Sequence, residues 1–237
     1  MAGKDTNTTV NVDRSCETTS IGVPWLQYAH YRNGFKKRWP TIWHLPIVTN
    51  PFAMLANYIK QPEAVLDVGA TDRVWEPAIR NLWPGACYRS LDLDRTNRHD
   101  YYSFDAVDTR FDLVLCFEVL EHLPPRELLE MIHRCIAACK PGHFLAFSVP
   151  NLLTDSYWMD FTHQTALSFW DLPTLMNYCG LEIVEAARWC TGSARKQFIH
   201  RHLFGLLHRA LNKDYCQSIL VLGKKPCVEQ THSNAKS

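Results

Sequence analysis

From Ala64 onward, short apolar runs alternate with amphipathic stretches. Ala64–Gly69, Ala86–Leu93 and Phe144–Val149 are apolar runs of strand length, and Phe111–Phe117 (Phe-Asp-Leu-Val-Leu-Cys-Phe) is nearly continuous, the pattern of a strand buried on both faces. Leu181–Cys190 and Gln217–Gly223 predict two further strands, and Tyr101–Val107 a weaker one ahead of Phe111. Helical stretches lie between them. Val74–Leu82 carries Pro77 in its first turn, where a missing N–H costs nothing. Pro125–Cys139 has apolar residues at 128, 129, 132, 136 and 137, a helical stripe, and Lys140-Pro141-Gly142 ends it. Asp171–Cys179 reads as a helix with Asp171 as its N-cap and Gly180 past its C-terminus. Strand and helix joined by short links predict an α/β fold with a mostly parallel, doubly wound sheet.

The flanks differ. Residues 1–20 are polar, rich in Thr and Asn, and read as a disordered tail; 227–237 is a second tail. Residues 21–60 are crowded with aromatics (Trp25, Tyr28, Tyr31, Phe35, Trp39, Trp43, Phe52 and Tyr58) and broken by prolines 24, 40, 46 and 51. Pro51–Lys60 predicts a short helix capped by Asn50. This segment reads either as a cap on one edge of the main domain or as a lid over a ligand. The main domain is read as 61–226, with an inserted helix at Gly192–Lys213. That helix has Phe198, Ile199, Leu203, Leu206, Leu207 and Leu211 on one face and basic residues from Arg195 to Arg209 on the rest. It reads as a surface helix packed by its apolar face. The other readings are a peripheral membrane contact or a dimer contact through 195–211.

Composition narrows the function. A net charge of +1 over 237 residues gives no global field for nucleic acid, so DNA is not an expected partner. The nine cysteines include no Cys-x-x-Cys pair, and several sit in apolar runs, so reduced thiols in a cytoplasmic protein are expected. Cys135 and Cys139 share a helix side, but no second ligand pair is evident, and no metal is expected. No run reaches the roughly 18 apolar residues of a membrane span.

The chemistry gathers at the first strand. In open α/β sheets ligands lie beyond the carboxyl ends of the strands. Asp67 ends the first strand beside Gly69, which lets backbone approach a ligand closely. Asp92 ends the second strand, where a carboxylate accepts both ribose hydroxyls. A dinucleotide needs bare amides around its pyrophosphate, but Thr71 and Arg73 occupy the later glycine positions. The turn therefore suits a nucleoside without phosphates. Strand-end capping is the competing role for both aspartates.

The segments Val65-Leu66-Asp67-Val68-Gly69, Phe111–Phe117 with Glu118-Val119-Leu120-Glu121-His122, Leu123-Pro124-Pro125, and Cys139-Lys140-Pro141-Gly142 together resemble the class I S-adenosylmethionine-dependent methyltransferases. Within that class they are similar to the type 11/23 group, whose members include small-molecule, glycan and lipid methyltransferases. The resemblance spans roughly Ala64–Arg188. It implies a seven-stranded Rossmann-like sheet with the last strand antiparallel, and S-adenosyl-L-methionine as cofactor. On the matching positions, Asp67 and Gly69, with Ala70, approach the methionine end. Asp92, followed by Leu93, binds the ribose. Asp105, or else Asp108, meets the adenine amino group, and Phe117 and Glu118 line the methyl-transfer cleft. The chain departs from the family's Gly-x-Gly-x-Gly turn at Thr71 and Arg73, which keeps a non-catalytic methyltransferase-like module as the alternative.

Met159-Asp160-Phe161-Thr162-His163 follows the fifth strand and resembles an Asp-x-Thr-His segment of some of these enzymes. Histidine titrates in the range a general base needs. His163 is the first candidate base with Asp160 as orienting partner, and His122 is the second; each has a purely structural role as its competitor. Tyr157, Trp158, Phe161, Phe169 and Trp170 either stack on a sugar or planar acceptor or form the contact surface for the aromatic cap. The expected function is methyl transfer, on oxygen, to a small-molecule, glycan or lipid-linked acceptor.

Overall fold

The computed structural model describes residues 22–227; the tail read at 1–20, and that read at 227–237 beyond Cys227, lie outside the described residues. Seven strands form one sheet: β1 (Ile47–Val48), β2 (Ala64–Val68), β3 (Cys87–Leu91), β4 (Phe111–Phe117), β5 (Cys139–Pro150), β6 (Glu182–Trp189) and β7 (Ser218–Lys224). Their spatial order is β1-β6-β7-β5-β4-β2-β3. All pairings are parallel except those of β7, which runs antiparallel to β5 and β6. The α/β, doubly wound, mostly parallel architecture is as expected.

All seven residues of β4 are buried, because helices cover both faces of the sheet. On one face Leu66, Val114 and Phe147 meet Ile132 of α4 (Leu128–Ala138), Leu172 of α5 (Asp171–Tyr178) and Phe35 of α1 (Trp25–Arg38). On the other, Val65, Leu113 and Leu115 meet Leu55 of α2 (Pro51–Tyr58) and Ile79 of α3 (Glu76–Leu82). Alternate residues of β2 and β4 thus serve two cores. The chain leaves β2 for β3 on one side and returns to β4 on the other, so the crevice of a topological switch point opens at the carboxyl end of β2.

Several expectations are corrected. Tyr101–Val107 is not a strand; it supplies one bridge, Leu91 to Tyr101, and a single 3₁₀ turn at Phe104–Ala106. The preceding loop already satisfies the outer edge of β3. Asp100 Oδ2 accepts the Ser90 N–H at 2.9 Å, and Ser90 O accepts the N–H groups of Asp100 and Tyr101. The seventh strand lies at the opposite edge: β1 pairs Ile47 with Arg188 and Val48 with Trp189. Two residues after a proline carry no period-2 signal, which hid this strand. The helix does end just before Lys140–Gly142, at Ala138, but these three residues lie inside β5, where the register with β4 jumps from Phe111↔Cys139 to Leu113↔Phe144. Asp171 is the first residue of α5, not its cap. The Ser168 hydroxyl oxygen instead accepts the N–H groups of Trp170 and Asp171. Asn50 does cap α2, its Oδ1 accepting from Phe52 N at 2.9 Å.

The stretch 192–213 is two short helices, α6 (Ala194–His202) and α7 (Gly205–Ala210). Its apolar side chains do not pack down: Leu203, Leu206 and Leu211 are exposed. His200, His208 and Tyr215 form its inner contact as a ring stack. Among the described residues no helix is long and apolar enough to cross a membrane.

Candidate active site

β2 delivers Asp67 to the crevice. Its carboxylate is buried and accepts the Tyr88 hydroxyl at 2.7 Å. Burial pushes its pKa up to about 7, against the lowering effect of the Tyr88 hydrogen bond. Gly69 follows at φ +73°, and a Cβ there would come within 2.3 Å of Val119 Cγ2. Both facts demand glycine. The N–H groups of Gly69 and Ala70 donate to Leu91 O, and Ala70 is buried behind them.

The two non-glycine positions of the turn adopt glycine geometry. Thr71 has φ +45° and Arg73 φ +63°, a left-handed conformation costing a side-chain-bearing residue about 1–2 kcal/mol. Local bonds hold it in place. Asp92 Oδ2 accepts the Thr71 N–H at 2.8 Å, and Asn97 Nδ2 donates to Thr71 O at 3.2 Å. Arg73 bonds Glu76 at 2.8 Å, lies 3.6 Å from Asp100 and sits over the Tyr88 ring. The departure from glycine therefore leaves the course of the turn intact. Asp92 Oδ1 takes the Asp94 N–H at 2.9 Å, and each carboxylate oxygen keeps acceptor capacity for a ribose hydroxyl. Leu93, next in the chain, is exposed.

At the end of β4, Phe117 is buried among the rings of Phe52, Trp75 and Trp189, with centroids 5.8–6.4 Å away. The Trp75 contact was not legible in the sequence, where Trp75 is a lone aromatic beside a short helix; Phe52 belongs to the aromatic segment read as a cap or lid. Glu118 turns the chain sharply at φ +55° and accepts the Ser148 hydroxyl at 2.6 Å; burial pushes its carboxyl upward. Asp105 sits on the exposed 3₁₀ turn and pairs with Arg134 of α4 at 3.2 Å, while Asp108 accepts the Tyr101 hydroxyl at 3.4 Å.

The 3₁₀ turn Leu120–His122 and the loop after β5 are stitched together. Glu121 O accepts the N–H groups of Gln164 and Thr165, Gln164 Nε2 donates to His122 O, and the Thr165 hydroxyl donates to Leu123 O. This brings the His122 and His163 rings to 4.9 Å, with Tyr157 stacked on His163 at 4.9 Å. His163 Nδ1 lies 2.8 Å from Tyr157 O. A carbonyl only accepts, so Nδ1 carries a proton, and Nε2 is the nitrogen that holds the lone pair of the neutral ring. The Thr162 hydroxyl donates to Asp160 Oδ1 at 2.6 Å and lies 3.0 Å from His122 Nδ1. Its proton being committed, it accepts from Nδ1, and in the neutral His122 ring the lone pair is likewise on Nε2. The three residues named from sequence thus converge. Tyr157 O orients His163, and Asp160 acts through Thr162 on His122, with its other oxygen 3.8 Å from His163 Nε2.

Glu121 was quoted in the motif but given no role. It is 1% exposed and its Oε1 is 3.9 Å from His122 Nε2. The surrounding aromatics divide: Phe169 and Trp170 pack together, with Trp170 Nε1 donating to Trp39 O, whereas Trp158 and Phe161 are exposed.

The comparisons agree with this geometry. A family model described as a methyltransferase domain matches residues 47–191, more than half of the chain. No curated protein sequence matches. Among solved structures, the fold is similar to a SAM-dependent methyltransferase from Archaeoglobus fulgidus (17% identity, 82% of this chain and 94% of that one, TM-score 0.58). It is also similar to the complex of the Haloferax volcanii Trm112 methyltransferase activator with a methyltransferase (16%, 84% and 97%, TM-score 0.53). A third likeness is an S-adenosylmethionine-dependent methyltransferase from Mesorhizobium loti (14%, 73% and 96%, TM-score 0.52). With the seven-stranded sheet, the left-handed turn after β2 and the matched domain in agreement, the chain belongs to the methyltransferase-domain family and is an enzyme with S-adenosylmethionine as its cofactor.

Proposed function

We propose that the enzyme methylates a hydroxyl oxygen of a small molecule, a glycan or a lipid-linked group. The observation supporting this is His163: its side chain is 8% exposed, its Nδ1–H is directed at Tyr157 O, and its Nε2 lies 3.8 Å from Asp160 Oδ2. The residues present fit the cofactor. Asp92 keeps free acceptor positions beside the turn, and Asp67, Gly69 and Ala70 hold the end of β2 where the methionine portion would lie. Bound there, the sulfonium supplies the methyl group.

Methyl transfer is an in-line displacement, so the protein's first task is to position the acceptor oxygen. The exposed rings of Trp158 and Phe161 offer faces on which a sugar or planar acceptor stacks. A neutral hydroxyl must also lose its proton, and His163 Nε2 takes it. Removing such a base lowers turnover by about 10²–10⁴-fold. His163→Gln should therefore lower kcat by that order while leaving the calorimetric affinity for S-adenosylhomocysteine unchanged. The assay is S-adenosylhomocysteine formation against phenolic, sugar and lipid-linked hydroxyl acceptors. An unchanged kcat in the variant, or turnover with amine acceptors alone, would overturn the reading.

A further inference from the structure

Glu121 presents a physical problem. Its carboxyl is 1% exposed, and neither oxygen has a hydrogen-bond partner among the described residues. A buried polar group left unsatisfied costs about 1–3 kcal/mol, and a charged one more. The His122 Nε2 atom lies 3.9 Å from its Oε1, beyond hydrogen-bond reach. One donor atom from each of Glu121, His122 and His163 lies within 4.8 Å of the others. Three electron-pair donors facing one another have no mutual stabilisation; a cation between them stabilises all three.

We propose that Glu121, His122 and His163 form a binding site for one divalent first-row transition-metal ion, of the zinc, manganese or cobalt type. The outer contacts are those that metal-bound histidines require. Each Nδ1–H is held by an acceptor, Tyr157 O for His163 and the Thr162 hydroxyl, backed by Asp160, for His122, which fixes the tautomer and aims Nε2 at the ion. Metal–nitrogen and metal–oxygen distances near 2.0–2.2 Å place neighbouring ligands about 3.0–3.4 Å apart, so each donor closes by roughly 1 Å, within the reach of side-chain rotation. Two imidazoles and one carboxylate suit zinc, manganese or cobalt and disfavour magnesium and calcium, which take oxygen ligands. His122 is partly exposed, which provides a path for entry. Three protein ligands leave coordination positions open, the arrangement of a catalytic rather than a structural ion.

The ion's part in the reaction rests on the reading proposed above; its binding does not. An acceptor hydroxyl bound at an open position has its pKa lowered and gives its proton to water. Its oxygen then forms the O–CH₃ bond as the S–CH₃ bond breaks, and that bond's electron pair stays on sulfur. With the ion bound, His163 Nε2 is a ligand, and lowering the acceptor's proton affinity passes from that nitrogen to the metal.

The test uses the full-length protein, treated with a chelator and then titrated with Co²⁺, with Zn²⁺ and with Mg²⁺ as control, before any cofactor or acceptor is added. The expected result is one equivalent of Co²⁺ bound with a visible ligand-field spectrum and no thiolate charge-transfer band, displaced by Zn²⁺ and not by Mg²⁺. Glu121→Gln and His163→Ala should each weaken binding by about tenfold or more, and His200→Ala should leave it unchanged. Folding does not confound Glu121→Gln, because it removes a buried unpaired carboxyl: its metal-free Tm should match or exceed the parent's, while the rise in Tm on adding Zn²⁺ disappears. Absence of stoichiometric binding, binding through thiolates, or Glu121→Gln binding as well as the parent would overturn the site. Co²⁺ bound as described but no transfer to hydroxyl acceptors would leave the site standing and refute the oxygen-acceptor reading instead.

Discussion

At the residue scale, the glycine turn is the most informative place in the chain. The family pattern uses glycine where the backbone turns left-handed, and this protein keeps the backbone at Thr71 and Arg73 while changing the residues. Thr71 is the more costly, because a β-branched side chain tolerates positive φ poorly. Thr71→Gly should relieve about 1–2 kcal/mol of strain and lose about 0.4–1 kcal/mol through a more flexible unfolded chain, a net gain of roughly 0.5–1 kcal/mol in urea unfolding. Calorimetry should show tighter S-adenosylhomocysteine binding, since the threonine side chain then no longer crowds the turn. Unchanged or weaker binding would place that side chain away from the cofactor. Glu121 teaches a different lesson. In the sequence it is one acid among the motif residues with no role attached, and its burial without hydrogen-bond partners is what singles it out.

At the element scale, the attachment of α1 to α5 depends on one carboxylate. Asp171 accepts the Tyr28 hydroxyl and the Arg32 Nε–H, and also the Ser168 hydroxyl at 2.6 Å. These contacts hold its pKa below the ordinary carboxylate range despite burial. Tyr31 against Tyr178 and Trp170 against Trp39 extend the seam. Asp171→Ala leaves the Arg32 charge half-buried and unpaired, at a cost of about 2–4 kcal/mol, somewhat below that of a fully buried broken pair. Hydrogen exchange should show faster amide exchange across 25–38 with β4 and β5 still protected. Equal loss of protection throughout would mean that α1 unfolds only with the whole domain.

At the scale of the whole molecule, buried carboxyls set how stability varies with pH. Asp67 is raised to about 7 in the folded protein from about 3.9 unfolded. The native state then holds a proton that the unfolded state has released. Its contribution is fully present below about pH 4 and is lost as pH rises to about 7, on the order of 4 kcal/mol in all. In the metal-free protein Glu121, pushed up to about 8 by burial and the Glu118 charge, acts with the same sign, whereas a bound cation holds its carboxylate ionised and removes that contribution. Stability should therefore fall between pH 5 and pH 8 in urea titrations. Asp67→Asn, which can still accept the Tyr88 hydroxyl, should remove about half of that fall; a slope as steep as the parent's would exclude Asp67 as its source.

Local sequence sufficed for the α/β class, six of the seven strands and the glycine turn after β2. These rest on local signals: strand-length apolar runs, helical stripes, and a glycine that must follow β2. It also brought His163, with Asp160 as partner, and His122 separately forward as candidate bases, because a histidine is chemically conspicuous wherever it lies. Only the tertiary structure decided the rest. β1 is two residues long and exists because the edge of β6 needs a partner, as Arg188 N and Cys190 N donate to Pro46 O and Val48 O. Tyr101–Val107 is no strand because its neighbour's edge was already satisfied by a loop. Glu121 became part of the site when folding set two lone-pair nitrogens against a carboxyl with no other partner. Whether a polar group is satisfied depends on neighbours far along the chain, and local sequence carries no record of them.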